Sequence, residues 1–386
     1  MGHQDSGARR ITKPPGTPRN HAERIRNARP STQPALGEPT NARYGRLMDR
    51  RTVGLAAGVV GVAAIATAVG LRLGGRRVRT RERPDIDPLL EPPTGLTHHE
   101  VPTSDGAILH VVEAGRGRPL VLLHGVTLQW WTWNPLFHLL SDRFRVIAWD
   151  MRGHGRSTTG HDGVTLDAIG RDLAEVLDHL NATDAIVMGH SMGGMALGRY
   201  AVDHRKHCLE HTSGLVFLAT AATELTPHRV TPYLGAGAGA LAGIAARSDL
   251  PVEHLWRPGD VSASLVRIAF GKNPSGVAIE AVRQMIVEVP AATSIEAGRS
   301  ILAHDLTDSL ARYEGPALVI VGANDHLTAP RLARRLAALI PQAELVELPD
   351  VGHQVMQEAP RRLAQLIETF AATARAAHPR PATSPA

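Results

Sequence analysis

The stretch AIVMGHSMGG, residues 185–194, gives the first indication of fold and chemistry. Its opening residues are apolar, as in a buried strand, and the residues after Gly194 are compatible with a helix. The G-x-S-x-G pattern between them allows a sharp strand-to-helix turn that lifts a serine hydroxyl above the sheet. Ser191 is therefore the candidate nucleophile, and the alternative is a structural serine in a glycine turn.

Short apolar runs bounded by Gly, Pro and Asp recur around this segment and alternate with stretches of 3.6-residue periodicity. This alternation predicts an α/β fold with a doubly wound, mostly parallel sheet. The predicted strands are 120–124, 145–149, 185–188, 215–218, 317–321 and 343–348, and the predicted helices include 166–180, 332–339 and 363–370.

The candidate base and its orienting acid follow the last two predicted strands. A serine hydroxyl needs a base, and the base needs a carboxylate that fixes its tautomer. His353 follows strand 343–348, and Asp325 follows strand 317–321. For Asp325 the alternative is a cap on the helix near Pro330, and the rival acid is Glu224.

Two backbone amides are candidates for an oxyanion hole. His124-Gly125 ends the first strong strand, so the N–H of Val126 is expected to face the oxyanion together with the N–H of Met192. The alternative is an ordinary strand-to-loop turn. Trp130 and Trp131, next to Trp133, either bind substrate or only pack this loop on the sheet.

A long insertion interrupts the alternation of strands and helices. Residues 222–312 are too many for a simple loop and contain helical patterns such as 277–287. They are predicted to form a helical lid between two parts of the core, residues 96–221 and 313–375.

Five motifs together resemble the α/β-hydrolase superfamily, in particular its bacterial esterase, lipase and peroxidase-like branch. They are His124-Gly125, the segment 150–157 (DMRGHGRS), the segment 189–194, the segment 322–325 (GAND) and Gly352-His353. The resemblance covers residues 96–375 and implies the fold, a helical cap, the catalytic roles given above and no metal or organic cofactor. Epoxide hydrolases and dehalogenases of this fold carry Asp at the nucleophile position, so Ser191 argues against both. His154 is interpreted as non-catalytic.

The N-terminal part differs in composition from the rest. Residues 1–83 carry a net charge of +12 and the remainder −7. Residues 1–47 and 376–386 are predicted to be disordered tails and residues 73–95 a linker. Within the segment 48–72, the uncharged run 53–71 is about 28 Å long as a helix, which is enough for a membrane span.

Two other interpretations of the run 53–71 remain open, a buried soluble helix and a cleaved signal peptide read from Met48. The chain is accordingly expected to be membrane-associated, on an undetermined side, or secreted. Nucleic acid is an unfavoured partner, because the basic tail carries almost no aromatic residues. Cys208 is the single cysteine, which excludes an internal disulfide and a cysteine-based zinc site.

The expected function is hydrolysis of a carboxylic ester, with an apolar acyl ester or a lipid favoured, through an acyl-enzyme on Ser191, His353 and Asp325. One alternative is C–C bond hydrolysis or cofactor-free perhydrolysis on the same residues. Another is a non-catalytic binding protein on this scaffold. The sequence does not determine the acyl chain length or the oligomeric state.

Overall fold

Parallel strands form most of a single eight-stranded sheet. The computed structural model describes residues 69–223 and 256–377. The strand order is β1-β2-β4-β3-β5-β6-β7-β8, in which β2 runs antiparallel to both β1 and β4 and all other neighbours are parallel. The strands are β1 Thr97–Pro102, β2 Ile108–Ala114, β3 Arg118–Leu123, β4 Phe144–Trp149, β5 Ala185–His190, β6 Thr212–Leu218, β7 Ala317–Gly322 and β8 Ala343–Leu348.

Helices cover both faces of the sheet, which explains why its central strands are apolar throughout. Alternate residues of β3 divide between two cores: Val121 packs with Leu173 of the helix Leu166–His179, whereas Leu122 packs with Phe137 of the helix Asn134–Leu140. The helices are α1 69–79, α2 Asp87–Leu90, α3 Asn134–Leu140, α4 Leu166–His179, α5 Met192–Asp203, α6 Arg205–His211, α7 Asp260–Val266, α8 Gly276–Glu288, α9 Ala291–Leu302, α10 Pro330–Leu339, α11 Val355–Glu358 and α12 Pro360–Ala377.

Three helices, α7, α8 and α9, lie in the insertion between β6 and β7, as the lid prediction requires for its described part. We call residues 256–302 the cap. Met285 and Val282 of α8 are buried in the same core as α3, so the cap packs on the core that covers this face of the sheet.

Residues 69–91, here called the N-terminal arm, overlap the predicted linker 73–95 and pack on the cap. Val78 and Ile86 are buried, and Arg79 forms a 3.0 Å ion pair with Asp260. A Cβ added at Gly75 would lie 1.6 Å from the Asp260 carbonyl oxygen, so the glycine that suggested flexibility permits a close helix contact.

The predicted membrane span 53–71 falls almost wholly outside the described residues. The predicted tail 1–47 lies outside them entirely, and the predicted tail 376–386 lies outside them except for its first two residues, which end α12. Among residues 69–223 and 256–377, no helix has both the length and the apolar character needed to cross a bilayer.

Candidate active site

Ser191 occupies a strained turn at the carboxyl end of β5. Its φ is +52° and its ψ is −117°, a conformation that costs a residue with a Cβ about 1–3 kcal/mol. The turn is held because the Ser191 N–H donates to the Leu218 carbonyl at 3.0 Å and the Thr220 hydroxyl donates to the Ser191 carbonyl at 2.7 Å. A Cβ at Gly193 would lie 2.5 Å from the His124 carbonyl oxygen, so this position of the motif needs glycine.

Asp325 and His353 form a hydrogen-bonded pair at the same edge of the sheet. His353 Nδ1 lies 2.8 Å from Asp325 Oδ2, and both side chains are buried. Because a carboxylate oxygen accepts, Nδ1 carries the hydrogen and the lone pair of the neutral ring is on Nε2. That is the tautomer that a general base for a serine hydroxyl requires.

The Asp325 carboxylate is held by further donors from the turn that follows it. The backbone N–H groups of Leu327 and Thr328 both donate to Oδ1 at 2.8 Å, and the Thr328 hydroxyl donates to Oδ2 at 2.7 Å. Asp325 thus closes the turn before α10 with one oxygen and orients His353 with the other. The helix that begins at Pro330 has Ala329 as its N-cap and no side-chain cap, so the alternative of Asp325 as a helix cap does not describe this contact.

The charge state of Asp325 follows from these contacts. Burial by itself raises the pKa of this carboxyl, but the positive charge and hydrogen bond of His353 and the hydrogen bonds from Thr328 outweigh it. The net result is a pKa below the ordinary value. Asp325 is therefore ionised at neutral pH and able to stabilise an imidazolium at His353.

One cavity of about 260 Å³ brings Ser191 and His353 together. Its wall is mostly apolar. It combines the loop 125–128 after β3, the turn of Ser191, the cap and the loops after β7 and β8. The described residues that line it are Gly125, Val126, Thr127, Leu128, His190, Ser191, Met195, Ala269, Val282, Ile286, Ile301, Leu327, Thr328, His353 and Gln354.

The two predicted oxyanion donors lie beside the nucleophile. A Cβ built on Gly125 would be 3.1 Å from Ser191 Cβ, so the loop containing Val126 touches the nucleophile turn. Met192 is the first residue of α5, where N–H groups have no partner within the helix. Within residues 69–223 and 256–377, neither the Val126 nor the Met192 N–H donates to a protein acceptor.

Buried histidines hold the loop 125–128 by hydrogen bonds. His124 donates from Nδ1 to the Gly125 carbonyl at 2.7 Å and accepts at Nε2 from the Met151 N–H at 2.9 Å. His154 accepts from the Thr127 N–H at 3.3 Å. Burial lowers the pKa of His124 to about 3 and also lowers the pKa of His154, so both rings stay neutral. His154 acts as the structural residue that its motif predicts.

His190 is a positioning residue that the sequence did not reveal as such. Its Nε2 lies 3.0 Å from the His353 carbonyl oxygen, so the ring donates to the backbone of the candidate base. Burial is the main cause that holds the pKa of His190 well below its ordinary range. The residue before Ser191, the candidate nucleophile, therefore helps to hold His353, the candidate base.

The cap is joined to the loop that carries His353. The His353 N–H donates to the Ala269 carbonyl at 2.9 Å, and the Lys272 N–H donates to the Asp350 carbonyl at 2.8 Å. Glu358 connects the two segments again, since its carboxylate accepts from the N–H groups of Gly271 and Gly352 at 2.6 and 2.9 Å. Burial raises the pKa of Glu358 to about 7.

The two tryptophans predicted to bind substrate do not reach this cavity. The ring of Trp130 packs edge-on against Phe137, and the main-chain N–H of Trp130 donates to Asp150 Oδ1 at 3.0 Å. Trp131 donates from its ring to Gln129 at 2.9 Å and borders a separate cavity between the arm and the cap. Neither residue is among the described residues that line the cavity of Ser191, so their role as substrate contacts stays a prediction beside the packing alternative.

The segment 150–157 makes buried contacts that hold neighbouring loops and helices together. Arg152 is fully buried and forms ion pairs with Asp105 at 2.8 Å and with Asp172 at 2.6 Å. Its guanidinium joins the β1–β2 turn to α4, and Asp150 fixes the loop of Trp130. The rival acid Glu224 lies outside the described residues.

Fold and site together define an α/β hydrolase. The profile of the family described as "alpha/beta hydrolase fold" matches residues 118–360, so the chain belongs to this family, and it is a hydrolase. Among curated relatives, the "AB hydrolase superfamily protein YisY" of Bacillus subtilis (strain 168) is 28% identical over 276 residues, which cover 70% of this chain and 98% of that protein.

Two further similarities bear on the chemistry. The "non-heme chloroperoxidase CPO-A1" of Kitasatospora aureofaciens is 28% identical over 262 residues, 66% of this chain and 91% of that protein. A solved thermophilic esterase from Thermogutta terrifontis has a TM-score of 0.58 at 27% identity and covers 72% of this chain and 99% of the esterase.

Proposed function

We propose that the protein hydrolyses carboxylic esters through an acyl-enzyme, with Ser191 as nucleophile, His353 as base and Asp325 as orienting acid. The observation that carries this is the 2.8 Å hydrogen bond between His353 and Asp325, on the wall of a cavity that also contains Ser191 on a strained turn. The hydrogen bond from Ser191 to His353 Nε2 is part of the proposal, since catalytic contacts of this kind tighten when substrate binds.

The reaction follows from the roles of the atoms. Ser191 Oγ attacks the ester carbonyl carbon while His353 Nε2 takes its proton, and the N–H groups of Val126 and Met192 receive the oxyanion. Collapse breaks the bond to the alkoxy oxygen, which leaves as the alcohol with the proton from His353. Water then attacks the acyl-enzyme through the same base, and the acid and free Ser191 are restored.

A fluorophosphonate reagent tests the nucleophile assignment. We expect labelling of the wild type and none of Ser191→Ala. Ser104→Ala is the matched control, because Ser104 is an exposed serine that bonds Glu175 at 2.6 Å far from the cavity, and it should label normally. Labelling of Ser191→Ala at the wild-type rate, with both variants folded by circular dichroism, would overturn the proposal.

The substrate class is proposed from the cavity wall. Val282 and Ile286 of the cap and Leu327 of the loop after β7 face the same space as Ser191, which suits an apolar acyl group. Rates on p-nitrophenyl esters of rising chain length test this. Ile286→Trp should shift the preference to shorter chains, whereas Val277→Trp, at an exposed position of the same helix, should leave it unchanged. An unchanged preference in Ile286→Trp contradicts the assignment of the acyl site.

Perhydrolysis is a second candidate, favoured by the similarity to the chloroperoxidase. Hydrogen peroxide would replace water in the attack on the acyl-enzyme and release a peracid, which then oxidises halide. Bromination of an organic acceptor that depends on acetate, peroxide and Ser191 distinguishes it. If the protein hydrolyses esters but gives no such bromination, ester hydrolysis remains the only proposed activity. The similarity to the chloroperoxidase gives no comparable support for hydrolysis of C–C bonds.

We also propose that residues 53–71 tether the chain to a membrane, on the basis of their apolar composition and flanking arginines. The full chain should then sediment with membranes after carbonate extraction, and Ala64→Arg within the run should release it. A mature N-terminus beyond residue 68 in mass spectrometry would instead establish a cleaved signal and secretion.

A further inference from the structure

A second cluster of chemically active side chains lies at the amino ends of the strands, whereas Ser191 lies at their carboxyl ends. It consists of Asp178 at the end of α4 and the pair His207 and His211, four residues apart on α6. His211 directly precedes the first residue of β6, whereas the cavity of Ser191 lies beyond the carboxyl ends of the strands. The cluster takes no part in the proposed ester chemistry.

Both imidazoles direct the same ring nitrogen at one oxygen. His207 Nε2 lies 3.0 Å from Asp178 Oδ1, and His211 Nε2 lies 3.3 Å from the same atom. The two rings are stacked, with centroids 3.8 Å apart and planes inclined by 4°. A surface His–Asp pair needs only one histidine, so the convergence of two on one oxygen calls for its own explanation.

The other ring nitrogens set the tautomers. His211 Nδ1 lies 3.1 Å from the His207 carbonyl oxygen, which only accepts, so Nδ1 carries the hydrogen. In the neutral ring the Nε2 lone pair then faces the lone pairs of Asp178. His207 Nδ1 is bonded to the Tyr200 hydroxyl at 2.8 Å, a contact that orients the ring as the outer partner of a metal-bound histidine does.

Two arrangements remove the clash of lone pairs at Nε2 of His211. One is protonation, which places a cation face to face with the second ring of the stack. The other is a divalent cation shared by the three donors, toward which the two rings would tilt out of their parallel stack so that each Nε2 lone pair reaches the ion. In tetrahedral Zn²⁺ sites with ligand distances of about 2.0–2.2 Å, neighbouring donors are about 3.3 Å apart. The observed separations of 3.0 and 3.3 Å match that edge.

We propose that Asp178, His207 and His211 form a site for Zn²⁺ or a similar borderline divalent ion. Two imidazole donors and one carboxylate favour this class over Mg²⁺ and Ca²⁺, which prefer all-oxygen ligands. The Asp178 side chain is 59% exposed, so water has access to the fourth position. The ion links α6 to α4 and so fixes the start of β6, a bracing role remote from Ser191.

Zinc titration of the full chain, purified with a tag that contains no histidine, tests the proposal. Isothermal calorimetry should show one site that is lost in His211→Gln and in Asp178→Asn. Tyr200→Phe keeps all three donors and should weaken binding about 10–100-fold through loss of ring orientation. His99→Gln is the matched control, because His99 pairs with the single carboxylate of Glu113 at 3.2 Å, and it should bind as the wild type does.

Two further readouts separate a metal site from an ordinary ion pair. Zinc should raise the melting temperature of the wild type and leave that of His211→Gln unchanged. Co²⁺ in place of Zn²⁺ should give the visible absorption of a four-coordinate site. Equal zinc affinity in the wild type and His211→Gln, or equal loss in His99→Gln, would overturn the proposal.

Discussion

Thr328 offers a direct test of how the site is oriented. Its hydroxyl donates to Asp325 Oδ2 at 2.7 Å and lies 3.2 Å from His353 Nδ1. Thr328→Val keeps the shape of the side chain but leaves the carboxylate with three donors instead of four. A buried hydrogen bond to a charged group contributes about 1.5–3 kcal/mol. If the transition state loses about half of the upper value in stabilisation, kcat/KM falls about tenfold.

The assay is kcat/KM on a short p-nitrophenyl ester, with urea unfolding measured in parallel. Thr328→Ser keeps the hydroxyl and should retain most of the activity, although it loses a methyl group from the cavity wall that Thr328→Val keeps. The reasoning is refuted if Thr328→Val stays within twofold of the wild type, or if Thr328→Ser is as impaired as Thr328→Val. Either result means that the backbone donors alone hold Asp325.

Three other substitutions probe the framework. Gly193→Ala places a Cβ 2.5 Å from a carbonyl oxygen, and should cost about 1–3 kcal/mol in urea unfolding and abolish ester hydrolysis. Arg152→Met leaves the buried Asp172 unpaired and should lower the free energy of unfolding by about 3–5 kcal/mol. The folded-state pKa of Glu358 is raised to about 7 from an ordinary 4.5, so its contribution to stability is full below pH 4.5 and is lost as pH rises through 7. The difference in unfolding free energy between wild type and Glu358→Gln should therefore change by about 3 kcal/mol from pH 4.5 to 8, and a constant difference would contradict it.

Sequence patterns located the centre of this fold better than its edge. Strands β3 to β8 were predicted because burial on both faces makes most of them continuous apolar runs. Strands β1 and β2 were missed. The edge strand β1 is THHEVP, with only Val101 buried, and the apolar run of β2 is interrupted by His110 and Glu113. An edge strand that faces water on one side carries polar residues and resembles a loop in a single sequence.

The same contrast holds for the site. Ser191, Asp325 and His353 stand at motif positions after strands, so their places along the chain could be predicted, and the structure brings Asp325 and His353 into contact. His190 acts through a hydrogen bond to the main chain of a residue 163 positions away, and Thr328 acts through a side-chain hydrogen bond within a turn. No periodicity encodes either contact. A threonine three residues after the candidate acid was the available signal for Thr328.

The tryptophans and the arm show what packing adds. Trp130 and Trp131 were singled out because tryptophan is rare, yet rarity does not tell a cavity wall from a core. The arm was taken for a linker because of its glycines and arginines, but Gly75 permits close contact and Arg79 finds Asp260. For the arm, the decisive partner Asp260 lies 181 residues from Arg79 along the chain.

The order of the strands has a consequence for the biosynthesis of this protein. His353 follows β8, the last strand to be made and an edge of the sheet, while Ser191 follows β5 at its centre. A growing chain on the ribosome can complete the turn of Ser191 long before its base exists. On the proposed mechanism, hydrolytic capacity therefore arrives only after residue 353 has been made, and any fragment that ends before residue 353 is inert.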